Sequence, residues 1–311
     1  MDLRIFVEPQ NGASYEQQLA MAQVAEEEGF DAFFRSDHFL RIGSFFDGLP
    51  GPTDSWVTLG AIARETTSIR LGTLVTSATF RLPGPLAIAV AQVDEMSGGR
   101  VELGLGAGWY DDEHHNYGIP FPPFGERFDR LEEQLQIVHG LWNTPPGQTF
   151  SFEGAHYALT DSPALPKPVQ PGGPPIVIGG VGPRRTPRLA ARYAAEYNQP
   201  FVPVEFFRDQ CDLARAACDE IDRDPDDLLY SVAQVVCCGQ DDVEVGRRAA
   251  NIGESVEALT SKGLCGSPAQ ILDKLATFAE AGAERVYLQM LDIDDLDHVR
   301  LIGADVLRML D

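Results

Sequence analysis

Long hydrophobic runs are missing from this chain: no stretch approaches the roughly 20 apolar residues that cross a bilayer. The opening Met1-Asp2-Leu3-Arg4-Ile5-Phe6-Val7 has neither the basic start nor the extended apolar segment of a secretory signal. A cytoplasmic protein without a membrane partner is therefore expected. Cysteine is scarce too. Cys211, Cys218, Cys237, Cys238 and Cys265 form an odd set without CxxC spacing, which argues against a disulfide framework or a zinc site and leaves buried free thiols. Positive charge is in short supply, with 24 Lys and Arg against 47 Asp and Glu and a formal net charge of −23. Such a surface repels a phosphate backbone, so no nucleic acid is expected as a partner. The acidity reads as solubility in a crowded cytoplasm.

What is present is an ordinary folded composition, 44% hydrophobic and 23% charged, in 311 residues. Parallel α/β barrels fill that length as one unit, so residues 1–311 are read as a single domain. Apolar runs alternate with amphipathic stretches along the chain. Leu3 to Glu8 reads as a strand and Tyr15 to Glu28 as a helix with Leu19, Ala22 and Ala25 inside; Asp31 to Ser36 is the next strand. The unit returns as helix Ser55 to Glu65, strand Ile69 to Val75, helix Leu86 to Met96, strand Arg100 to Gly106 and helix Glu126 to Trp142. From Asn143 to Pro175 prolines interrupt the rhythm, and Thr149 to Phe152 with His156 to Leu159 could pair as a hairpin. Regularity resumes with strand Pro175 to Ile178, helix Thr186 to Ala195, a short strand at Tyr197-Asn198 and helix Glu205 to Asp222. Strand Leu229 to Cys237, helices Asp242 to Leu259 and Pro268 to Ala281, strand Arg285 to Leu291 and helix Asp295 to Leu310 complete the series. Eight strands in βα order give a (β/α)8 TIM barrel with a Pro-rich insertion between the fourth helix and fifth strand.

Working residues in such a barrel sit at the C-terminal strand ends. Arg35-Ser36-Asp37-His38 places a carboxylate and an imidazole there, a pair suited to holding an anionic ring and exchanging a proton near neutral pH; its plain alternative is an ordinary loop. Val75-Thr76-Ser77 ends a strand in small hydroxyls able to bond a ring edge, or merely to favour a turn. Gly104-Leu105-Gly106-Ala107-Gly108-Trp109 lacks the spacing of a dinucleotide fingerprint and does not open an apolar helix; its small residues would let a planar ring approach the backbone. Asp111, Asp112, Glu113, His114 and His115 follow, but adjacent residues point in different directions and no second ligand set is evident, so no metal is assigned. Finally, Gly179-Gly180-Val181-Gly182-Pro183-Arg184-Arg185 turns from a strand into a helix N-terminus and, with Arg188, reads as an anion cradle.

Ser36-Asp37-His38-Phe39, Leu71 to Thr76, Ser97-Gly98-Gly99-Arg100 with Gly104 to Trp109, and Pro174 to Gly180 together resemble, in order and spacing, the motifs of luciferase-like monooxygenases. Phe33 to His38 and Gly118 to Pro123 resemble more closely the branch that uses the deazaflavin coenzyme F420. The resemblance implies a ring pocket against a bulge or non-proline cis peptide near Val75, Thr76 and Ser77. It also implies ring contacts from Asp37, His38, Gly106, Ala107 and Gly108, a phosphate site at Gly179, Gly180, Val181 and Gly182, and a ring or tail contact from Asn198. Tyr197 stands where the family pattern has Trp. Arg184, Arg185 and Arg188 are read as attracting the coenzyme's polyglutamate tail.

The implied activity is hydride transfer between F420 and a small organic substrate, with His38 steering the accompanying proton. Phe45, Phe46, Trp109, Tyr110 and Phe201 suggest an aromatic substrate site. The alternatives are an FMN-dependent monooxygenase, which would need a separate reductase, and a non-catalytic coenzyme-binding barrel. The family also implies a homodimer.

Overall fold

A computed structural model describes residues 1–42 and 51–310. Eight parallel strands close on themselves: β1 (Asp2–Val7), β2 (Ala32–Arg35), β3 (Arg70–Thr73), β4 (Val101–Gly106), β5 (Ile176–Gly179), β6 (Glu196–Pro200), β7 (Leu229–Cys238) and β8 (Arg285–Met290). Each pairs with the next, and β8 returns to β1 with Ile5 opposite both Phe33 and Leu288. Burial on both faces explains why these strands read as continuous apolar runs rather than as alternating ones.

Local signals set the helix ends. Ser14 and Gln17 form a reciprocal capping box ahead of helix Tyr15–Glu28, and Ser267 with Gln270 do the same for Pro268–Glu280. One helix expected over 242–259 is two, Asp242–Ile252 and Val256–Lys262. Gly253 takes a left-handed φ of 84° that ends the first, and Ser255 caps the second. The last helix covers only Leu296–Asp305 before a 3-10 turn. The strand expected over 69–75 stops at Thr73; the Leu74–Val75 peptide is cis, and Thr76–Ser77 resumes pairing with β4. A further short strand, Leu264–Gly266, pairs with the far end of β7. The Pro-rich segment before β5 carries the antiparallel pair Phe150–Glu153 and Ala158–Ser162. Among the described residues no helix is long and apolar enough to cross a membrane. All five cysteines are free and buried.

Charged residues near the strand starts close the barrel floor. Arg4 of β1 donates to Glu102 of β4 at 2.7 and 3.0 Å and to the Tyr287 hydroxyl at 2.9 Å, and Tyr287 in turn donates to Glu196 at 2.8 Å. Arg285 meets Glu196 at 2.7 Å, and Arg70 closes on Glu102. Burial works against charge on both partners, yet Arg4 is held above and Glu102 below their ordinary values because each faces its counter-charge in a dry interior. Above this layer Phe6, Ala32, Phe34, Val177, Ala233 and Tyr287 fill the lumen, leaving the C-terminal end as the open face.

Breaking a buried ion network strands its surviving charges. Arg4→Met is expected to cost about 3–5 kcal/mol in urea unfolding. A loss below about 1 kcal/mol, the scale of an exposed pair, would show that the floor does not depend on Arg4.

Candidate active site

The end of β3 supplies one wall of the mouth. A Cβ at Gly104, Gly106 or Gly179 would come within 2.9 Å of a Val75 methyl, so three glycines on β4 and β5 make the space that Val75 occupies. The close approach expected of Gly106 thus accommodates a side chain of the protein itself. Gly108, at φ +80°, does the same for Ser77, whose Oγ lies 2.2 Å from where a Cβ would stand. Ala107 lies between them, partly buried against the core.

Beside this wall, Thr76 donates to Asp37 at 2.8 Å. Asp37 is buried and ion-paired with Arg81, which also holds Asp54 at 2.6 Å. Arg35, fully buried at the end of β2, donates to Gln18 at 3.0 Å and to the Thr53 hydroxyl and carbonyl at 2.8 Å each. Burial lowers its pKa to about 10 despite the nearby carboxylates. Asp37 therefore serves as an anchor for β3 and Arg81, its charge already matched.

His38 is engaged differently. Its Nδ1 lies 3.0 and 3.1 Å from the two oxygens of Glu113, and Glu113 also accepts from the Phe39 N–H at 2.9 Å. Burial disfavours the imidazolium, but the hydrogen bond and charge of Glu113 outweigh it and raise the His38 pKa. With Nδ1 spent on Glu113, Nε2 is the ring nitrogen left without a partner among the described residues. Trp109 and Tyr110 stand edge-on to the imidazole at 5.7 and 6.1 Å between centroids.

Glu113 was not assigned this role from sequence. It lies on a short helix, Asp111–Tyr117, which buries Glu113 and His114 and leaves Asp111, Asp112 and His115 exposed. The signal was the helical spacing of Tyr110, Glu113 and His114, passed over because the acidic run was weighed only as a metal cluster. Among the described residues no group of three or more His, Cys, Asp or Glu could hold a metal ion. His114 receives Thr79 on Nε2 at 2.6 Å and places Nδ1 2.6 Å from the Tyr110 carbonyl; Thr79 in turn lies 2.6 Å from the Ser77 hydroxyl. Burial lowers the His114 pKa. A neutral ring donating from Nδ1 makes Thr79 its donor and Ser77 the donor to Thr79. A groove of about 310 Å³ adjoins this chain, lined by Thr79, Phe80, Arg81, Ile119, Arg130 and Tyr157 among others.

At the end of β5, Gly180 and Gly182 take φ of +125° and +156° ahead of helix Arg185–Tyr193. The Gly182 N–H donates to Gln210 at 2.9 Å, and the Tyr197 hydroxyl shares that same acceptor at 3.1 Å, so Tyr197 braces the turn. Val181 and Arg184 are exposed. The three arginines are not equivalent: Arg185 is tied to Asp129 at 2.5 Å and Arg188 to Glu220 at 3.1 Å, whereas Arg184 has no ion pair among the described residues. Asn198 is buried and donates to Ser231 at 2.8 Å, which joins it to Glu196 and the floor network. Phe201 is exposed at the end of β6; Phe45 and Phe46 lie outside the described residues.

Residues 1–261 match the family model described as luciferase-like monooxygenase. The chain is similar to an F420-dependent glucose-6-phosphate dehydrogenase of Nakamurella multipartita, 36% identical over 214 residues that cover 65% of this chain and 60% of the relative. A protein of the same description from Microbacterium testaceum is 38% identical over 175 residues, 56% of this chain and 49% of the relative. The chain thus spans about half to 60% of the length of these curated relatives. Among solved structures, an F420-dependent secondary alcohol dehydrogenase in complex with an F420-acetone adduct superposes with a TM-score of 0.86 at 18% identity, covering 100% of this chain and 99% of that one. At that identity the likeness is one of fold.

Glu113→Gln removes the charge that holds the His38 proton. The His38 pKa, followed by NMR of the ring carbons, is expected to fall. An unchanged titration would show that Glu113 does not set it.

Proposed function

Because the chain belongs to the luciferase-like monooxygenase family, we propose that it is an oxidoreductase passing hydride between coenzyme F420 and a small organic substrate at the barrel mouth, with residues 1–311 forming one domain. The observation that carries this reading is the His38–Glu113 pair at the C-terminal end of β2, beside the Val75 wall. The F420 dependence of the named relatives supports the choice of coenzyme.

The residues present fit such a group. The Val75 wall, seated among glycines that admit no Cβ, offers an apolar face to a flat ring. Ser77 donates to Thr79, which donates to His114, and although the Ser77 oxygen accepts from the Thr79 N–H at 3.4 Å it retains a second lone pair for an incoming donor. His38, Val75, Ser77, Ala107 and Gly108 would line the ring end, and Asp37, Thr76 and Gly106 would support it by fixing that wall. Gly179, Gly180, Val181, Gly182 and Arg184 would hold the phosphate end, where the uncommitted Arg184 guanidinium beside a helix N-terminus suits an anion, the Gly180 and Gly182 N–H groups being bound to Asn198 and Gln210. Asn198 would support this end from the lumen through Ser231. When bound, the deazaflavin supplies a ring carbon that accepts or releases hydride. His38 exchanges the accompanying proton through Nε2, and Glu113 keeps its ring oriented and its pKa raised. Arg185 and Arg188, already matched, contribute less to attracting a polyanionic tail than Arg184 does.

Fluorescence titration with F420 and FMN in parallel tests the reading. Tighter binding of F420 is expected; FMN binding more tightly, with oxygen uptake on reduction, would overturn it. His38→Ala should lower turnover at saturating F420 by about 10²–10⁴-fold.

A further inference from the structure

Five of the eight loops around the mouth carry no cation. The segments after β1 (8–14), β4 (107–110), β6 (201–203), β7 (239–241) and β8 (291–295) contain neither Lys, Arg nor His, and those on the β6 to β1 side contain Glu8, Asp241, Asp292, Asp294 and Asp295. The nearest guanidiniums on that side are already matched: Arg247 and Arg248 meet Asp295 at 3.3 and 2.9 Å, and Arg248 also holds Glu244 at 2.9 Å and the Cys238 carbonyl at 2.7 Å. Across the mouth, Arg81 is shared between Asp37 and Asp54. Arg184 stands at the turn given above to the coenzyme's phosphate. The same rim exposes large apolar surface: Trp109 is 60% and Phe201 44% exposed.

From this distribution we infer that the substrate is an uncharged molecule with an apolar face and a hydroxyl or carbonyl group, and not a phosphorylated sugar. The inference rests on the F420 reading above and adds the substrate class. A phosphate dianion entering on the β6 to β1 side meets carboxylates and no free cation, so like charges raise its energy where a neutral ligand loses nothing. Trp109 and Phe201 instead reward apolar contact. A hydroxyl or carbonyl is what the His38 proton requires.

The test begins with F420 titration of the intact protein; absence of binding there counts against the proposed function alone. The F420-loaded protein is then titrated calorimetrically with hexan-2-ol, glucose and glucose 6-phosphate. Hexan-2-ol is expected to bind at least about tenfold more tightly than glucose 6-phosphate, and glucose 6-phosphate more weakly than glucose, with the latter gap shrinking as salt screens the rim. The double variant Asp292→Asn/Asp294→Asn should narrow the same gap at low salt. Glucose 6-phosphate binding as tightly as hexan-2-ol, or hexan-2-ol failing to bind, would overturn the inference.

Discussion

The pairing of Arg4 with Glu102 and Glu196 at the barrel floor is the constraint from which the remaining layout follows. A closed parallel sheet has no water inside to solvate a charge, so every ionised group there must find its partner across the lumen. Arg4, Glu102, Glu196, Arg285 and Tyr287 come from four strands, and their mutual geometry ties β1, β4, β6 and β8 to a common level. With the floor sealed by charge and the middle filled by aromatic rings, the chemistry is left to the opposite end. Asn198 and Ser231 extend the polar network upward from Glu196.

At the mouth the same economy of charge recurs with a different result. Asp37 and His38 are neighbours in sequence, yet Asp37 turns inward to Thr76 and Arg81 while His38 turns to Glu113. One is held by two partners, and the other keeps a ring nitrogen without a partner among the described residues. Two adjacent polar residues acquire separate duties because the second strand ends between two different partners, a loop after β3 and a helix after β4.

The alternation of strand and helix was legible because each barrel strand is apolar on both faces and most helices begin or end at residues with an unmistakable local preference. Ser14, Gly29 and Ser267 are examples. Where a break depended on a single glycine within a helical pattern, as at Gly253, periodicity ran through it. That Asp37, His38 and Thr76 lie together at the mouth was legible since strand ends mark it. Glu113 was not, because its partner lies 75 positions earlier in the chain and only folding brings the two together. The arginines after β5 were legible as a cluster, but their ion pairs with Asp129 and Glu220 are tertiary, so Arg184's distinct standing emerges only in three dimensions.

The packing of Val75 against Gly104, Gly106 and Gly179 carries an implication for descent. Val75 and glycines on two strands are locked together sterically: a side chain at Gly106 or Gly179 would strike a Val75 methyl, and one at Gly104 would also strike the Thr73 carbonyl, which no change at Val75 relieves. Divergence within such a lineage is thereby channelled away from this wall and into the loops on the far side of the rim, where residues such as Phe201 and Gln240 face no comparable restriction. The wall is the part of the mouth fixed by sterics, and the rim is where a new specificity meets the least steric resistance.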